Sequence, residues 1–199
     1  GQLSEKYDSR AFNIDELKRD IDNDKRILKE IRDTVGEIDP DKDDKLKTLK
    51  DVLSKPPLNT EKVLIFTQYA DTAEYLYENL KNSDVRRITS KEKNRLSVIR
   101  RFAPQSNRYE LKEGEQEIRI LVSTDILSEG LNLQDAFIVI NYDLHWNPVR
   151  LIQRIGRLDR IGALTDVVYV HNFFPETKLE DHLHLKERIQ NRIEDIHRT

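Results

Sequence analysis

One glutamine and two arginines near the end of the chain have the spacing of a phosphate-binding helix face. If residues 148–161 are helical, steps of three and four residues place Gln153, Arg157 and Arg160 on one face. Two neighbouring guanidiniums repel each other unless an anion with several oxygens lies between them, and phosphate meets that need. The alternative is a solvated basic face that forms surface ion pairs.

Composition limits the classes of function that the chain can have. Its 199 residues fit one domain with an appendage, and 36% of them are charged. The chain contains no cysteine, so thiolate metal sites and disulfides are excluded and no metal site is predicted. It has no apolar run long enough to cross a bilayer and no secretory leader, so a cytoplasmic protein without a membrane partner is expected. Because methionine is absent even at position 1, the chain is expected to be part of a longer protein.

A basic stretch runs through the first half of the chain. Seven basic residues lie between Arg86 and Arg101, with Glu92 as the only acid among them. Such a stretch is a candidate surface for the phosphates of a nucleic acid. The alternative for most of the seven is a solvated helix face.

The elements that must position these residues follow from the hydrophobic pattern. Helical spacing predicts one helix over residues 12–35 and a second helix that ends before Pro56. Together they form an N-terminal helical appendage over residues 1–57. Beyond it, apolar strands alternate with helices, which predicts an α/β lobe over residues 58–199 with an open, mostly parallel sheet covered by helices on both faces. The predicted strands are Val63–Phe66, Val85–Thr89, Ile118–Ser123, Phe137–Tyr142 and Val167–Phe174, and the helices after residue 58 are 70–81, 91–102, 148–161 and 177–197. Residues 104–117 are expected to form a polar, flexible insertion.

Three polar segments follow strands and should meet at the carboxyl edge of this sheet, where ligands of such sheets bind. They are Thr67 to Tyr69, Ser123 to Gln134 and Asp143 to Pro148. Their hydroxyls suit phosphate oxygens, and Gly130 permits close approach of a backbone or ligand. The alternatives are ordinary helix caps at Thr67 and Thr124, and a core position for Trp146.

These segments together resemble the second RecA-like lobe of a superfamily 2 helicase of the Swi/Snf type. The stretch VLIFTQY (63–69) is similar to motif IV, STDILSEGLNLQ (123–134) to motif V and QRIGRLDR (153–160) to motif VI. The stretch NYDLHWNP (141–148) is similar to the Swi/Snf segment that ends in Trp-Asn-Pro. The forms of motifs V and VI are most similar to the bacterial branch that includes the RNA-polymerase-associated ATPase, and the resemblance runs from about Leu46 to the C-terminus.

The resemblance implies a role for each matching residue at the nucleotide. Arg160 matches the arginine finger that reaches the γ-phosphate of ATP, and Arg157 assists it. Gln153 matches a link between motif VI and the nucleotide. Asn132, near the ribose, and Gly130 are the other implied nucleotide contacts.

The resemblance also implies a nucleic-acid side. Duplex DNA is the implied partner, although no residue distinguishes it from RNA. RNA polymerase or another protein complex is a further implied partner, at the bacterial nucleoid. The implied nucleic-acid contacts are Thr67, Gln68, Thr124, the coupling aromatic Trp146, and Lys91 and Arg95 of the basic stretch.

Two parts of an ATPase site are missing from the sequence. No G-x-x-x-x-G-K-[ST] phosphate loop occurs, and no Asp-Glu pair follows an apolar strand to hold Mg²⁺. ATP with Mg²⁺ is therefore expected to be held mainly by an N-terminal RecA-like lobe of the same parent chain, and this lobe alone is expected to be inactive. In motif V, Ser128 and Glu129 replace the small, Gly-rich pair of the eukaryotic form, which disfavours nucleosome remodelling.

Three other functions remain open on the sequence. One is an RNA helicase lobe of the same superfamily, and another is a motor lobe in a restriction or phage-defence system. The third belongs to a different class, a degenerate RecA-like module that only binds proteins. Retention of both arginines of motif VI disfavours the degenerate module.

Overall fold

Five short strands form a single sheet in the structure of this chain, a computed structural model. The strands are β1 Val63–Phe66, β2 Val85–Ile88, β3 Ile120–Ser123, β4 Ile138–Asn141 and β5 Tyr169–Asn172. They lie in the order β2-β3-β1-β4-β5, and every neighbouring pair is parallel. All residues of β1, β3 and β4 are buried, as expected for central strands covered on both faces. The predicted parallel α/β sheet is confirmed.

The structure describes residues 13–36, 39–82, 84–125, 132–145, 148–156, 158, 167–174, 187 and 190. The predicted helix over residues 177–197 falls outside this part of the chain except at two positions. Within the described residues, no helix combines the length and the apolar character needed to span a membrane.

Five α-helices accompany the sheet in the described part of the chain. They are α1 Ile14–Gly36, α2 Asp44–Leu53, α3 Ala70–Leu80, α4 Arg95–Phe102 and α5 Pro148–Ile155. A 3-10 helix over Pro40–Lys42 precedes α2. Asn13 caps the start of α1, because its side-chain oxygen accepts a bond from the amide of Glu16 (3.2 Å), and its side-chain amide donates to the Glu16 carboxylate (3.0 Å).

The chain divides into two compact units between Lys47 and Thr48. The first contains α1 and the start of α2, and the second contains the sheet with α3 to α5. The domain boundary predicted near residue 57 stays a prediction. The core of the second unit consists of apolar side chains from the strands, α4 and the segment before β4, among them Leu64, Phe66, Ile88, Ile99, Phe102, Leu121, Leu133 and Val139.

Helix α4 begins four residues later than predicted, at Arg95 instead of Lys91. The Arg95 guanidinium donates to the backbone carbonyls of Ser90 (2.7 Å) and Glu92 (3.1 Å). The amide of Glu92 also donates to the carbonyl of Thr89 at 3.1 Å. These bonds hold residues 89–94 as a turn, so the helix start predicted at residue 91 was wrong.

The polar insertion over residues 104–117 contains neither helix nor strand and is tied to the core at its start. The carboxylate of Asp135 accepts bonds from the amides of Gln105 and Ser106, both at 2.8 Å, and from the Ser106 hydroxyl. This carboxylate is almost fully buried, and Lys62 lies 3.8 Å from it. The insertion therefore leaves the fold from a fixed point at the amino edge of the sheet.

Candidate nucleotide and nucleic-acid interface

A buried arginine on α5 organises the carboxyl edge of the sheet. Arg154 is 1% exposed, and its guanidinium donates to both carboxylate oxygens of Asp125, at 2.7 and 3.1 Å. Its remaining terminal nitrogen donates to the side-chain oxygen of Asn141 (3.0 Å) and to the backbone carbonyl of Asp143 (3.3 Å). A buried guanidinium is tolerated only when its donors are satisfied in this way.

The contacts of Arg154 reach the carboxyl ends of three neighbouring strands, β3, β1 and β4. Its guanidinium carbon lies 5.0 Å from the centre of the Phe66 ring, at the end of β1. Asp125 follows β3, and Asn141 ends β4. Asn141 in turn donates to the side chain of Asn172 on β5 at 2.8 Å. Arg154 thereby fixes α5 to three strand ends, and Asn141 links one of them to β5.

The ionisation of Asp125 is set by two opposing influences. Burial raises the pKa of this carboxyl, but the hydrogen bonds and positive charges of Arg154 and Arg150 outweigh burial and hold the pKa below its usual range. Arg150 contributes less because it is half exposed and its nearest nitrogen is 3.4 Å away. Asp125 therefore remains a carboxylate, which keeps the ion pair with Arg154 intact.

The end of β1 is linked to the segment after β4. The Thr67 hydroxyl donates a short hydrogen bond to the carboxylate of Asp143. The same carboxylate oxygen accepts from the amide of Gln68 at 3.3 Å. Thr67 is buried, whereas the side chains of Gln68 and Tyr69 are exposed, Tyr69 by 60%. The accessible groups at this strand end are thus Gln68 and Tyr69, and the implied role of Thr67 on the nucleic-acid backbone stays a prediction.

The two described residues of motif V with implied roles lie in different places. Thr124 is buried directly after β3, beside Asp125, and its amide donates to the carbonyl of Ile88 at 3.4 Å. Asn132 donates from its side chain to the carbonyl of Ser106 at 3.1 Å, next to the loop that follows α4. The structure brings Thr124 to the network around Arg154 and does not bring Asn132 there, and both implied roles stay predictions.

Gln153 faces solvent beside a small cavity. The cavity has a volume of about 160 Å³ and is lined by Asp125, Arg150, Gln153 and Arg154. Pockets that enclose a whole small ligand have volumes of roughly 300–1,000 Å³. This cavity could therefore accommodate only part of a nucleotide, as a half-site contributed by one of two lobes would.

The two residues of the basic stretch with implied nucleic-acid contacts differ in exposure. Lys91 is exposed, whereas Arg95 is partly buried and donates to the carbonyls of Ser90 and Glu92. Arg87 pairs with Glu74 at 2.5 Å and lies 5.1 Å from the centre of the Tyr77 ring. Of the two predicted phosphate contacts, Lys91 is the one whose side chain is fully exposed.

Four of the predicted site residues lie outside the described part of the chain. They are Gly130, Trp146, Arg157 and Arg160. Their roles stay predictions.

Sequence reasoning missed the residues that hold the edge together. Arg154 and Asp125 lie within motifs VI and V, and neither was assigned a role. A signal was present, because Leu151, Arg154 and Leu158 are three and four residues apart and so share the buried face of the motif VI segment. A charged residue on an apolar face requires a partner, and Asp125 directly follows a buried strand.

The family of the chain is shown by comparison with known proteins. A family model described as "Helicase conserved C-terminal domain" matches residues 44–162. "Uncharacterized ATP-dependent helicase YqhH" of Bacillus subtilis is 32% identical over 145 residues, which cover 68% of this chain and 24% of that protein. "RNA polymerase-associated protein RapA" of Actinobacillus pleuropneumoniae is 37% identical over 108 residues, which cover 54% of this chain and 11% of that protein.

Two further similarities concern a fungal protein and a solved structure. "ATP-dependent RNA helicase DBP8" of Pyricularia oryzae is 31% identical over 137 residues, which cover 66% of this chain and 21% of that protein. The crystal structure of the C-terminal part of the Fun30 ATPase domain superimposes with a TM-score of 0.54 at 23% identity, covering 70% of this chain and 44% of that one. The latter similarity supports the RecA-like fold.

The matches extend over more than half of this chain but over a small part of its relatives. In the three curated relatives, the matched region is at most 24% of the protein's length. The predicted recognition of a helicase C-terminal lobe, with an RNA-polymerase-associated protein among its relatives, is confirmed. The chain belongs to the family of helicase conserved C-terminal domains and has the fold of the second RecA-like lobe of an ATP-dependent helicase.

Proposed function

We propose that this lobe belongs to a Swi/Snf-type motor that moves along duplex DNA at the expense of ATP. In this proposal Arg160 is the arginine finger at the γ-phosphate, Arg157 assists it, and Gln153 contacts the nucleotide. The polar strand ends grip the nucleic-acid backbone, with Lys91 adding charge. The lobe alone is expected to be inactive, because the phosphate loop and the Mg²⁺-binding carboxylates belong to the N-terminal lobe of the parent.

The observation that carries the proposal is the fixation of α5 by Arg154. An arginine finger acts by placing charge where charge develops in the transition state, so the helix that precedes it in the sequence must be held at a fixed position. Arg154 is bound to Asp125, Asn141 and the carbonyl of Asp143, which belong to motif V and to the segment before Trp146. These bonds join α5, which contains the start of motif VI, to the first part of motif V and to the segment before Trp146.

In this proposal, the bonds of Arg154 transmit the effect of ATP binding and hydrolysis to the residues that contact the nucleic acid. When Arg157 and Arg160 engage the γ-phosphate, α5 moves with them and carries the strand ends along. Asp143 then transmits the displacement to Thr67 and Gln68 at the end of β1. Hydrolysis removes the group that the arginines hold, and the lobe returns while its contacts shift along the backbone, as in hinge closure around a ligand.

The residues of this lobe fit a nucleotide that is shared with another lobe. The cavity beside Gln153 is large enough for only part of ATP. No cluster of three or more acidic or histidine side chains able to hold a metal ion occurs among the described residues. Bound ATP with Mg²⁺ supplies the phosphoryl group for hydrolysis, and we assign its triphosphate and metal to the N-terminal lobe.

The proposed partners of the parent are duplex DNA and RNA polymerase or another protein complex. The RapA relatives, which are named as RNA-polymerase-associated, favour the second partner. Such a motor would work at the nucleoid in the bacterial cytoplasm.

Displacement of a third strand from a DNA triplex by the full-length parent tests the proposed translocation. ATP-dependent displacement from a duplex track is the expected result. Trp146→Ala should reduce displacement more than it reduces ATP hydrolysis, because Trp146 is proposed to couple the two. Unchanged displacement in a folded Trp146→Ala variant would contradict that coupling, and loss of folding would assign Trp146 to the core.

A second function, that of an RNA helicase lobe, is favoured by one finding. Relatives named as ATP-dependent RNA helicases match about two thirds of this chain at 30–32% identity. ATP-dependent unwinding of an RNA duplex by the parent, without displacement from the DNA triplex, would assign the protein to this second function.

A further inference from the structure

Helix α1 exposes an apolar seam that the proposed function does not use. Every side chain from Asn13 to Thr34 is exposed. Residues of the seam are alternately three and four positions apart, which is the spacing of a coiled coil. The seam consists of Ile14, Leu17, Ile21, Asp24, Leu28 and Ile31. Its apolar members keep between 38% and 64% of their surface exposed.

A helix of this kind gains little stability without a partner. Most helical stability in proteins comes from packing of the apolar face. The ion pair between Arg26 and Glu30 (2.7 Å) is exposed, and exposed pairs of this kind contribute little. The seam of α1 is therefore expected to be covered by another helix.

The charges beside the seam indicate what that helix must carry. Lys18, Lys25 and Arg32 recur every seven residues along one flank, and all three are exposed. Flanking positions of a coiled coil face the partner and select it by charge. The opposite flank is mixed, with Asn13, Asp20, Ile27 and Thr34.

A second copy of the same helix does not satisfy these requirements. In a parallel pair, Asp24 would face Asp24 of the other copy inside the seam. In an antiparallel pair, the two basic flanks would face each other. Both arrangements bring like charges together, which disfavours pairing with itself.

We infer that α1 is the docking surface for a helix of a partner protein with complementary chemistry. That helix has an apolar heptad seam, acidic residues along the flank that meets Lys18, Lys25 and Arg32, and a cation at the level of Asp24. Binding of that helix would cover Leu17, Ile21, Leu28 and Ile31. The charges of the partner helix would set its orientation and register on α1. None of these residues is assigned a role in the proposed motor, so the inference does not depend on that proposal.

Titration of the full-length parent with labelled designed peptides, followed by fluorescence anisotropy, tests this inference. One peptide has apolar heptads, glutamates on the flank and a lysine at the level of Asp24. The second differs only in having lysines on the flank. The acidic peptide should bind at least about tenfold more tightly. Charge reversal of all three flank residues (K18E, K25E, R32E) should reverse the preference.

A matched pair of substitutions tests the role of Asp24 by sedimentation. Asp24→Leu should make the parent self-associate, because it removes the charge that opposes parallel pairing. Asp22→Leu changes a residue that belongs neither to the seam nor to either flank, and it should not make the parent self-associate. Equal affinity for both peptides, or binding that survives Leu17→Asp with Leu28→Asp, would overturn the inference. A parent that is dimeric through this helix, or binds neither peptide because its own chain covers the seam, would also overturn it.

Discussion

Arg154 and Asp125 are 29 residues apart in the sequence, and their side chains form a two-bond ion pair at 2.7 and 3.1 Å. The pair joins the helix of motif VI to the end of the central strand β3. The Arg154 side chain is 1% exposed and the Asp125 side chain 26%, so the arginine side of the pair is removed from water. Its value to the protein is positional, since a buried ion pair is often no more stabilising than apolar residues of equal volume.

Removal of one partner of this pair should cost much more than removal of a neighbouring exposed arginine. Arg154→Ala leaves the Asp125 carboxylate with only the longer contact to Arg150 and leaves the Asn141 oxygen without its donor, and it should lower the free energy of unfolding by about 3–5 kcal/mol. Arg150→Ala is the matched control, because Arg150 approaches the same carboxylate but is half exposed. It should cost at most about 1 kcal/mol. Urea denaturation measures the free energy of unfolding of both variants. An equal decrease in the two variants would contradict the role given to Arg154.

The same ion pair should make stability depend on pH. The pKa of Asp125 is lower in the folded chain than in the unfolded chain, so the unfolded chain takes up the proton first as the pH falls. The contribution of the Asp125 carboxylate to the free energy of unfolding is complete at pH values above the ordinary aspartate pKa, about 3.9. It is lost as the pH falls through the lower pKa of the folded chain. Asp125→Asn should therefore differ most from the wild type in unfolding free energy at neutral pH. A difference that stays constant into acid would contradict this prediction.

Asp135 should control the mobility of the polar insertion. Asp135→Ala removes the acceptor of the amides of Gln105 and Ser106, so hydrogen exchange at these two amides should accelerate. The unfolding free energy should fall by about 1–3 kcal/mol, because partly buried donors lose a charged partner. Glu115→Ala is the control within the same insertion, where Glu115 binds the Tyr109 hydroxyl and the amide of Lys112. Unchanged exchange at residues 105 and 106 in Asp135→Ala would refute the proposed tether.

Lys91 should contribute charge to nucleic-acid binding without reading sequence. Lys91→Ala should weaken binding of duplex DNA by the parent about equally for all sequences and reduce the salt slope by about one. Lys112→Ala removes an exposed lysine from the insertion and should leave the slope unchanged. An unchanged slope in Lys91→Ala would remove this residue from the interface. Arg95→Ala is a poorer test, because Arg95 also holds the turn before α4.

The sheet could be predicted from the sequence because its signal is local. Val63–Phe66 and the first three residues of Ile138–Asn141 are apolar runs, which are typical of strands buried on both faces. The start of α4 could not be predicted, because the turn before it depends on which carbonyls the Arg95 side chain reaches. Helical pattern alone does not contain that information.

The organisation of the site could be predicted only in part. Motifs identified which segments meet at the carboxyl edge, and the structure brings Thr67, Thr124 and the motif VI helix together there. The role of Arg154 could not be read from its own segment, because an arginine is ordinarily placed in solvent. Its burial is explained only by Asp125 and Asn141, which lie 29 and 13 residues away in sequence.

ATP hydrolysis by the full-length parent, with Arg160→Ala beside the wild type, tests the central proposal most directly. Duplex DNA should stimulate ATP hydrolysis by the wild type more than single-stranded DNA or RNA does. Arg160→Ala should lower turnover by roughly a thousandfold or more while duplex binding stays nearly intact, because the finger acts on the γ-phosphate. Arg19→Ala, an exposed arginine on α1, is the control and should hydrolyse ATP normally. Hydrolysis that is insensitive to Arg160→Ala, or stimulated by RNA alone, would contradict the account.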